Sequence, residues 1–294
     1  MANLDRQIRY FIRIAELKSL SKAAVSLDLT QSGLSRRLAA LETHLGKPLF
    51  SRTGRGVELT DAGRVLLDAA KSGYSLVDGA LETVREKEGV VQGNVRLATV
   101  HTLSYYFTAD VVSDFVAERP RVNIMLMARS SPDVVDLVQS GKADIGFVYD
   151  AAVASVHLSS TPLFEDEMCL IIAERSNLDG CVDLAAAPPR LVGFPPHYAL
   201  RKMLDGSGIK LEFAAEAETI DAMLRLVASG VGACVLPLRM PDNIIANYGL
   251  KKVSISRPMM KRRVAAIIRA DRHASGLVTQ LLDTATARAL RGMA

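Results

Sequence analysis

The sequence predicts an α/β protein in three parts: a small, mostly helical head with one β-hairpin, a long linker helix, and a two-lobed α/β body. Short helical patterns fill residues 1–60, one continuous helical pattern covers residues 61–88, and strands alternate with helices from Val95 onward. We therefore place the head at 1–60, the linker helix and hinge at 61–92, and the body at 93–294. The hinge itself is predicted at Gln92-Gly93-Asn94. Within the body, lobe I is predicted at 93–161 plus 268–294 and lobe II at 162–267.

The size and composition of the chain exclude several classes of protein. Its 294 residues are enough for several domains, and 49% apolar residues supply a core for each, which excludes a disordered chain. No apolar run approaches the ~18 residues of a membrane-spanning helix. Charged residues also interrupt the apolar positions of the first twenty residues, unlike a signal peptide. We expect a soluble cytoplasmic protein with no membrane partner.

Charge is unevenly distributed along the chain. Residues 1–60 contain ten Lys and Arg against five Asp and Glu, a net charge of +5, whereas the whole chain carries +4. The other residues are therefore close to neutral. A basic module on a nearly neutral body is typical of a nucleic-acid-binding head.

The head has the pattern of a helix-turn-helix. A first helix is predicted from Leu4 to Leu17 by its apolar spacing, and Ser19 can cap a short helix over Lys22–Leu27. After a tight turn, Thr30 can cap a third helix over Gln31–Leu45, which Gly46 ends. A short helix, a tight turn and a longer helix form this motif.

The third helix has one apolar and one polar side. At 100° per residue, its leucines form a single stripe that we expect to be buried: Leu34, Leu38, Leu41 and Leu45. The opposite side, near the end that enters a major groove, carries Gln31, Ser32, Ser35 and Arg36. Arg37 lies on the flank and suits a phosphate. The alternative is an amphipathic helix that shows its polar side only to water.

A basic hairpin follows this motif. Residues 50–60 place two glycines between short β-prone runs, with Arg52 and Arg55 near the tip. A hairpin in this position is a wing, whose arginines would contact phosphates or the minor groove beside the third helix. Two basic elements beside one groove favour DNA binding more than either does alone.

The linker helix carries a coiled-coil seam. Thr60 can cap a helix that begins at Asp61. Small and apolar residues then recur at steps of four and three: Leu66, Ala70, Gly73, Val77, Ala80 and Val84. This spacing predicts pairing with the same helix of a second subunit; the alternative is packing against the helix's own domain.

The body predicts a ligand cleft between its lobes, at the carboxyl ends of parallel strands. One candidate turn, after the first strand, contains His101, Thr102 and Leu103; the other, at the next helix start, contains Ser130 and Ser131. Hydroxyls and free N–H groups at two helix N-termini suit a small anion, typically a carboxylate, although each hydroxyl alone is more simply an N-cap. We expect Phe147 or Phe194 to supply an apolar wall. Because neither turn contains Arg or Lys, we expect a monocarboxylate rather than a strongly anionic ligand.

The three cysteines lack metal-ligand spacing. Cys169 and Cys234 stand in apolar runs and are predicted to be buried thiols of a reducing compartment. A redox switch between Cys169 and Cys181 is an alternative means of regulation.

The residues of head and body together resemble the LysR-type transcriptional regulators. The motifs that carry the resemblance are Ser19-Leu20-Ser21-Lys22-Ala23-Ala24, Leu29-Thr30-Gln31-Ser32, Leu34-Ser35-Arg36, Leu49-Phe50, Gly141-Lys142-Ala143-Asp144-Ile145-Gly146 and Val227-Ala228-Ser229-Gly230-Val231-Gly232. Ser32 stands where this family often has proline.

The resemblance implies a winged helix-turn-helix head and a body similar to periplasmic binding proteins. It implies DNA contacts by Gln31, Ser32, Ser35 and Arg36, with Arg52 and Arg55 in the wing, and an effector pocket lined by the two turns of the body. The implied partners are double-stranded DNA, a small-molecule effector, RNA polymerase and further copies of the chain in a homodimer or homotetramer. No cofactor or metal is implied.

Two other functions fit the sequence less well. An enzyme is disfavoured because no nucleophile elbow, phosphate-binding loop, dinucleotide fingerprint or metal-spaced histidine cluster occurs. A solute-binding module of transport would suit the two lobes, but not the basic head or the missing export signal. The prediction is a sequence-specific DNA-binding regulator, without catalytic residues, that responds to a small molecule.

Overall fold

The computed structural model describes residues 2–53, 56–86, 92–149, 155–178, 180–270 and 274–292. The chain divides into two compact units, one ending at Ala80 and the other beginning at Leu81. The first unit contains three helices, a hairpin and most of a long helix: α1 (Ala2–Leu17), α2 (Leu20–Ser26), α3 (Gln31–Leu45), β1 (Phe50–Thr53), β2 (Gly56–Leu59) and α4 (Asp61–Glu86).

Local capping fixes the helix-turn-helix. The Ser19 hydroxyl accepts a hydrogen bond from Lys22 N at the start of α2, and Thr30 Oγ1 accepts one from Gly33 N at the start of α3. Gly46 ends α3 in the left-handed conformation at φ 66°. The predicted motif is thus formed, with α3 at its predicted limits.

The core of the first unit lies between α1, α2 and α3. Its buried residues are Phe11, Ile14, Ala23, Ala24, Leu34, Leu38, Leu41, Leu49 and Val57. The prediction that Leu45 is buried is wrong: its side chain is 43% exposed. Leu45 is the last residue of α3, one turn beyond Leu41, so it extends past this small core.

The wing packs closely against the end of α1. Strands β1 and β2 pair antiparallel from Phe50 opposite Leu59 to Thr53 opposite Gly56. A Cβ at Gly56 would lie 2.5 Å from the Lys18 carbonyl oxygen, so this contact needs glycine. Arg52 lies on β1 with its side chain outside the described residues, and Arg55 lies outside them altogether.

Helix α4 begins against the core of the first unit and continues away from it. Leu66 and Leu67 pack on that core. Leu66 therefore contacts its own unit, although it was predicted to belong to the seam with a second subunit. The Tyr74 hydroxyl donates to Asp5 Oδ1 at 2.7 Å, which fastens α4 to α1. Farther along, Val77 and Leu81 are each 50% exposed.

The second unit is built on one mixed sheet and a separate pair of strands. Its strands are β3 (Gly93–Val100), β4 (Val122–Arg129), β5 (Ile145–Tyr149), β6 (Leu158–Ala173), β7 (Cys181–Asp183), β8 (Leu191–Gly193), β9 (Phe213–Glu216), β10 (Cys234–Pro237), β11 (Leu250–Arg257) and β12 (Lys261–Arg269). The order is β4-β3-β5-β12-β6-β11-β7, with β10 also paired to β6 and with β8 and β9 forming a separate pair. The predicted parallel arrangement holds for β3, β4 and β5, whereas β6 and β12 run antiparallel to their neighbours in the main sheet.

Helices and one short 3-10 segment cover this sheet. They are the 3-10 helix His101–Tyr105, α5 (Thr108–Glu118), α6 (Ser131–Gln139), α7 (Ala199–Asp205), α8 (Ile220–Ala228), α9 (Asp242–Ala246) and α10 (Gly276–Arg291). The sequence patterns did not predict the 3-10 helix, β7, α9 or β11, all short or strongly polar segments.

Two long strands, β6 and β12, pass through both lobes. Along β6 the side chain of Phe164 packs in the core of the first lobe and that of Met168 in the core of the second. At the start of β12 the same change falls between Met260, which precedes the strand, and Val264. The boundaries predicted at 161/162 and 267/268 assign Phe164 and Val264 to lobe II, whereas both side chains lie in the first core. Continuous strands carry no break in sequence that marks this change.

The predicted hinge at 92–94 also differs from the structure. Gly93 and Asn94 already belong to β3, paired with Val122 and Asn123 of β4. Of the three predicted hinge residues, only Gln92 precedes the strand.

Candidate nucleic-acid and ligand-binding sites

The polar side of α3 is presented to solvent in the first unit. Gln31, Ser32 and Arg36 are exposed and Ser35 is partly exposed. Gln31 Oε1 accepts a hydrogen bond from Ser21 Oγ at 3.1 Å, which orients this amide between α2 and α3. Arg36 has no hydrogen bond or ion pair to any residue that the structure describes. An exposed arginine without an internal partner can donate to a guanine edge.

Arg37 differs from its neighbour Arg36. Its Nη1 donates to the Tyr10 hydroxyl at 2.6 Å, and its guanidinium lies 5.1 Å from the centre of the Tyr10 ring. These contacts hold Arg37 against α1, beside the polar face of α3. The predicted phosphate contact would therefore use a side chain that is already oriented.

The second unit has a small cleft at the carboxyl ends of β3, β4 and β5. Its volume is about 270 Å³, open mouth included, and its lining consists of Val100, His101, Thr102, Arg129, Ser130, Ser131, Tyr149, Phe194, Tyr198, Ala199 and Leu200. Residues of both lobes contribute to it. Because this volume includes open solvent, the enclosed part of the cleft is much smaller, and the chemistry of the lining rather than the volume indicates the kind of ligand.

The two adjacent serines at the start of α6 have different surroundings. Ser130 is the N-cap, and its hydroxyl donates to Asp133 Oδ2 at 2.6 Å. Ser131 is only 2% exposed, yet its Oγ has no hydrogen-bond partner in the described part of the chain. A buried hydroxyl costs free energy unless it is hydrogen-bonded. Ser131 Oγ, on the lining of the cleft, is therefore available to a ligand or to a water molecule.

Thr102 and Tyr149 form the polar floor of the cleft. Thr102 Oγ1 lies 2.9 Å from the Tyr149 hydroxyl, and both side chains are buried. Burial raises the pKa of Tyr149, so this phenol stays neutral and can both donate and accept hydrogen bonds.

Aromatic rings and one guanidinium form the mouth. Tyr198 stacks on Phe194 with ring centres 4.9 Å apart, and His101 lies 6.2 Å from Tyr198. Burial lowers the pKa of His101, and the nearby Arg129 lowers it further, so the imidazole is neutral around pH 7. Arg129 thus supplies the positive charge that neither predicted turn contains.

Two predicted ligand residues do not line the cleft. Leu103 and Phe147 are fully buried in the first core, where Phe147 packs against Phe107 at 5.3 Å between ring centres. Tyr149, two residues later on the same face of β5, takes the place expected for Phe147. The sequence did not predict six of the wall residues: Val100, Arg129, Tyr149, Tyr198, Ala199 and Leu200. Of these, only Val100, Arg129 and Tyr149 stand at the ends of strands, where a ligand site is expected.

The cysteines are not arranged for a disulfide. Cys169 and Cys234 are fully buried on the paired strands β6 and β10, and burial raises the pKa of Cys169 to about 12. Cys169 and Cys181 both lie opposite Ser254, on the two sides of β11. Two strand spacings, ~9.6 Å, therefore separate them, beyond the reach of a disulfide. The predicted switch would require β11 to move aside.

Neither a metal cluster nor a membrane span occurs among the described residues. They contain no group of three or more His, Cys, Asp and Glu side chains placed to hold a metal ion. None of their helices combines the length and apolar character needed to cross a membrane.

A winged helix-turn-helix and a two-lobed body with a polar-floored cleft define a class of protein with one surface for DNA and one for a small molecule. Comparisons with known proteins agree. Residues 6–64 match the profile "Bacterial regulatory helix-turn-helix protein, lysR family", and residues 88–290 match "LysR substrate binding domain". The chain belongs to the LysR family of transcriptional regulators.

Among its relatives, the transcriptional regulator IlvR of Caulobacter vibrioides is 30% identical over 267 residues, 86% of this chain and 88% of that protein. CbnR, a LysR-family regulator solved in complex with its target DNA, is 20% identical, with a TM-score of 0.72 over 98% of this chain and 99% of CbnR. The effector-binding domain of QuiR, solved with shikimate, is 18% identical, with a TM-score of 0.60 over 68% of this chain and 99% of that domain. The two solved structures show the same fold.

Proposed function

We propose that this regulator recognises a specific DNA site through α3 and the wing, and that a small monocarboxylate in the cleft changes its occupancy of that site. The ligand assignment rests on one observation. The buried hydroxyl of Ser131 lines the cavity at the N-terminus of α6, and its Oγ has no hydrogen-bond partner among the described residues. A carboxylate there would accept from this hydroxyl and from the Ser131 N–H, because Pro132 has no N–H and the Asp133 N–H is bonded to the Ser130 hydroxyl.

The chemistry of the walls defines the ligand further. Phe194, Tyr198 and Leu200 form an apolar side, which suits a short hydrocarbon or ring. Arg129, at the mouth, supplies one positive charge, which suits a ligand with one negative charge. The effector-binding domain of QuiR, which shares this fold, was solved with shikimate, itself a carboxylate.

DNA recognition is assigned to exposed side chains of α3. Ser32 and Arg36 are exposed on the side opposite the buried leucines, Gln31 is exposed in the first turn, and Ser35 is partly exposed between them; these side chains are proposed to contact bases. Arg37, Arg52 and Arg55 are proposed to contact the phosphate backbone or the minor groove.

Assembly is proposed through α4. Gly73 and Val77 are exposed on one side of this helix and Ala70 is partly exposed, as a seam with a second copy requires; the side chains of Ala80 and Val84 lie outside the described residues. We propose a homodimer or homotetramer, with RNA polymerase as a further partner of the DNA-bound assembly.

One experiment tests both halves of the proposal. Genomic DNA fragments retained by the purified full-length protein are sequenced with and without a panel of small monocarboxylates. We expect enrichment of one sequence motif, and a change in its occupancy with at least one acid. No enriched motif would contradict specific DNA binding; a motif that no monocarboxylate affects would contradict the ligand assignment.

A further inference from the structure

A chain of hydroxyl groups leads from the cleft to a buried carboxyl group. Thr102 Oγ1, on the cavity wall, lies 2.9 Å from the Tyr149 hydroxyl. The Tyr149 hydroxyl is in turn near enough to the Tyr106 hydroxyl for each phenol to affect the pKa of the other. The Tyr106 hydroxyl donates to Asp166 Oδ2. Thr102, Tyr149 and Asp166 are each at most 4% exposed.

Asp166 lies where β6 passes from one lobe to the other. It stands between Phe164 of the first core and Met168 of the second, and Tyr106 packs against both cores. A change in the protonation of Asp166 should therefore affect the packing at the junction of the lobes as well as the cleft.

The groups that face this carboxyl come from several elements. Arg239, which follows β10, places Nε 3.9 Å from Asp166 Oδ1, and Arg262 of β12 lies opposite Asp166 in the strand register. The thiol of Cys169 and the two phenols also lie near it, and Glu165 and Glu167 flank it on β6, opposite Arg263 and Lys261 of β12. Burial raises the pKa of Asp166 to about 6, although the Tyr106 hydrogen bond and the charge of Arg239 oppose the rise. Both protonation states are thus accessible near neutral pH.

Each hydroxyl has one proton, so an ionised Asp166, which can only accept hydrogen bonds, sets the direction of the whole series of hydroxyl groups. An ionised Asp166 accepts from Tyr106, Tyr106 accepts from Tyr149, and Tyr149 accepts from Thr102. Thr102 then offers only lone pairs to the cavity. A protonated Asp166 can donate to Tyr106, which permits the reversed order and leaves the Thr102 proton free for a ligand.

We propose that Asp166 acts through Tyr106 and Tyr149 to decide whether Thr102 offers the ligand a hydrogen-bond donor or an acceptor. A carboxylate in the cleft is consequently recognised together with a proton on Asp166. This inference rests on the ligand site proposed above and adds a positioning residue and a regulation by pH to it.

The test uses acetate as the probe and the full-length protein. Binding is followed by NMR through the ¹³C-labelled methyl groups of Ala199 and Leu200, which line the cavity. At about pH 8 we expect the Asp166→Asn variant to bind acetate about five- to tenfold more tightly than the wild type, the effect of one gained hydrogen bond. The Asn amide can donate to Tyr106 at every pH, as a protonated carboxyl does.

A double-mutant cycle distinguishes an effect transmitted through the hydroxyl groups from a direct effect of the charge of Asp166. The Tyr106→Phe variant keeps the carboxyl group and removes the link. We expect Asp166→Asn to change acetate affinity less than about twofold in the Tyr106→Phe background. An equal effect in both backgrounds would mean that the charge acts directly through space, and would overturn the inference.

The pH profile gives a second measurement that does not depend on the folding of Asp166→Asn. In the wild type, acetate affinity should fall as pH rises through about 6, because Thr102 loses its free proton. The fall should be much smaller in Tyr106→Phe; equal profiles would overturn the inference. If acetate shifts no cavity methyl group in any variant, the proposed carboxylate site fails, and this inference fails with it.

Discussion

At the scale of single residues, neighbouring side chains of the same type have different surroundings. Ser130 and Ser131 are both buried, but Ser130 caps α6 and is bonded to Asp133, whereas Ser131 Oγ has no partner within the described residues. Arg37 is held by Tyr10, whereas Arg36 has no such contact there. Substitutions within each pair should therefore have separable effects.

The serine pair yields a prediction on ligand binding. The Ser131→Ala variant should bind acetate about tenfold more weakly, because a hydrogen bond to a charged group is lost. The Ser130→Ala variant should lose about 1 kcal/mol of unfolding free energy with its N-cap, and keep its acetate affinity within about twofold. Methyl NMR titration and urea unfolding measure the two effects. The opposite assignment of effects would contradict the proposed role of Ser131.

The arginine pair yields a prediction on DNA binding. The Arg36→Ala variant should lose about 1–3 kcal/mol of binding free energy at the target site and much less on random DNA, because a base contact carries specificity. The Arg37→Ala variant should weaken both about equally and lower the salt dependence of binding. Fluorescence anisotropy at several salt concentrations measures both. An equal loss for Arg36→Ala on the two DNAs would reassign Arg36 to the backbone.

At the scale of elements, α4 combines two roles along its length. Leu66 and Leu67 bury its first turns in the core of the first unit, and Tyr74 bonds to α1. Beyond them, Val77 and Leu81 remain half exposed. The seam predicted from the 4-3 spacing is consequently limited to residues after Leu66.

A charge placed on this seam should prevent association of subunits. We expect Val77→Asp to abolish dimers, because a buried unpaired carboxylate at a helix interface is strongly unfavourable. Val65→Asp is the matched control, since Val65 is 72% exposed on the same helix and off the seam. Sedimentation velocity measures both variants. A dimeric Val77→Asp protein, or a monomeric Val65→Asp protein, would contradict the seam.

At the scale of the whole molecule, the long strands β6 and β12 connect the lobes through a register of opposite charges. Glu165, Asp166 and Glu167 of β6 lie opposite Arg263, Arg262 and Lys261 of β12. Opposite charges across an antiparallel pair stabilise the sheet. The central carboxyl, Asp166, is fully buried, and the free energy of unfolding should therefore depend on its protonation.

The sign of that dependence follows from the pKa of Asp166, raised by burial from 3.8 to about 6. Below about pH 4 the carboxyl is protonated in both states and has no effect. Between about 4 and 6 the unfolded chain releases the proton and the native chain keeps it, so stability falls as pH rises. Asp166→Asn cannot ionise. In urea unfolding, its advantage over the wild type should grow from about pH 4 to 6.5 and then stay constant at about 2–3 kcal/mol. A difference independent of pH would contradict this account.

The sequence by itself determined the elements that depend on local chemistry. Thr30 and Gly46 bound α3, and the helical spacing of the leucines separates its buried side from the polar side that carries Arg36. The end-of-strand rule likewise located the cleft at Thr102 and Ser131.

Only the tertiary structure decided which side chains complete the cleft and what lies beneath it. Phe147 and Tyr149 lie on the same face of β5, so alternation along the strand cannot distinguish Phe147, which packs in the core, from Tyr149, which reaches the cavity. Tyr198 comes from the other lobe, and Asp166 meets Tyr106 across sixty residues of chain. Contacts of this kind arise when strands pair and lobes pack, because residues remote in sequence are brought together only by burial of a shared core.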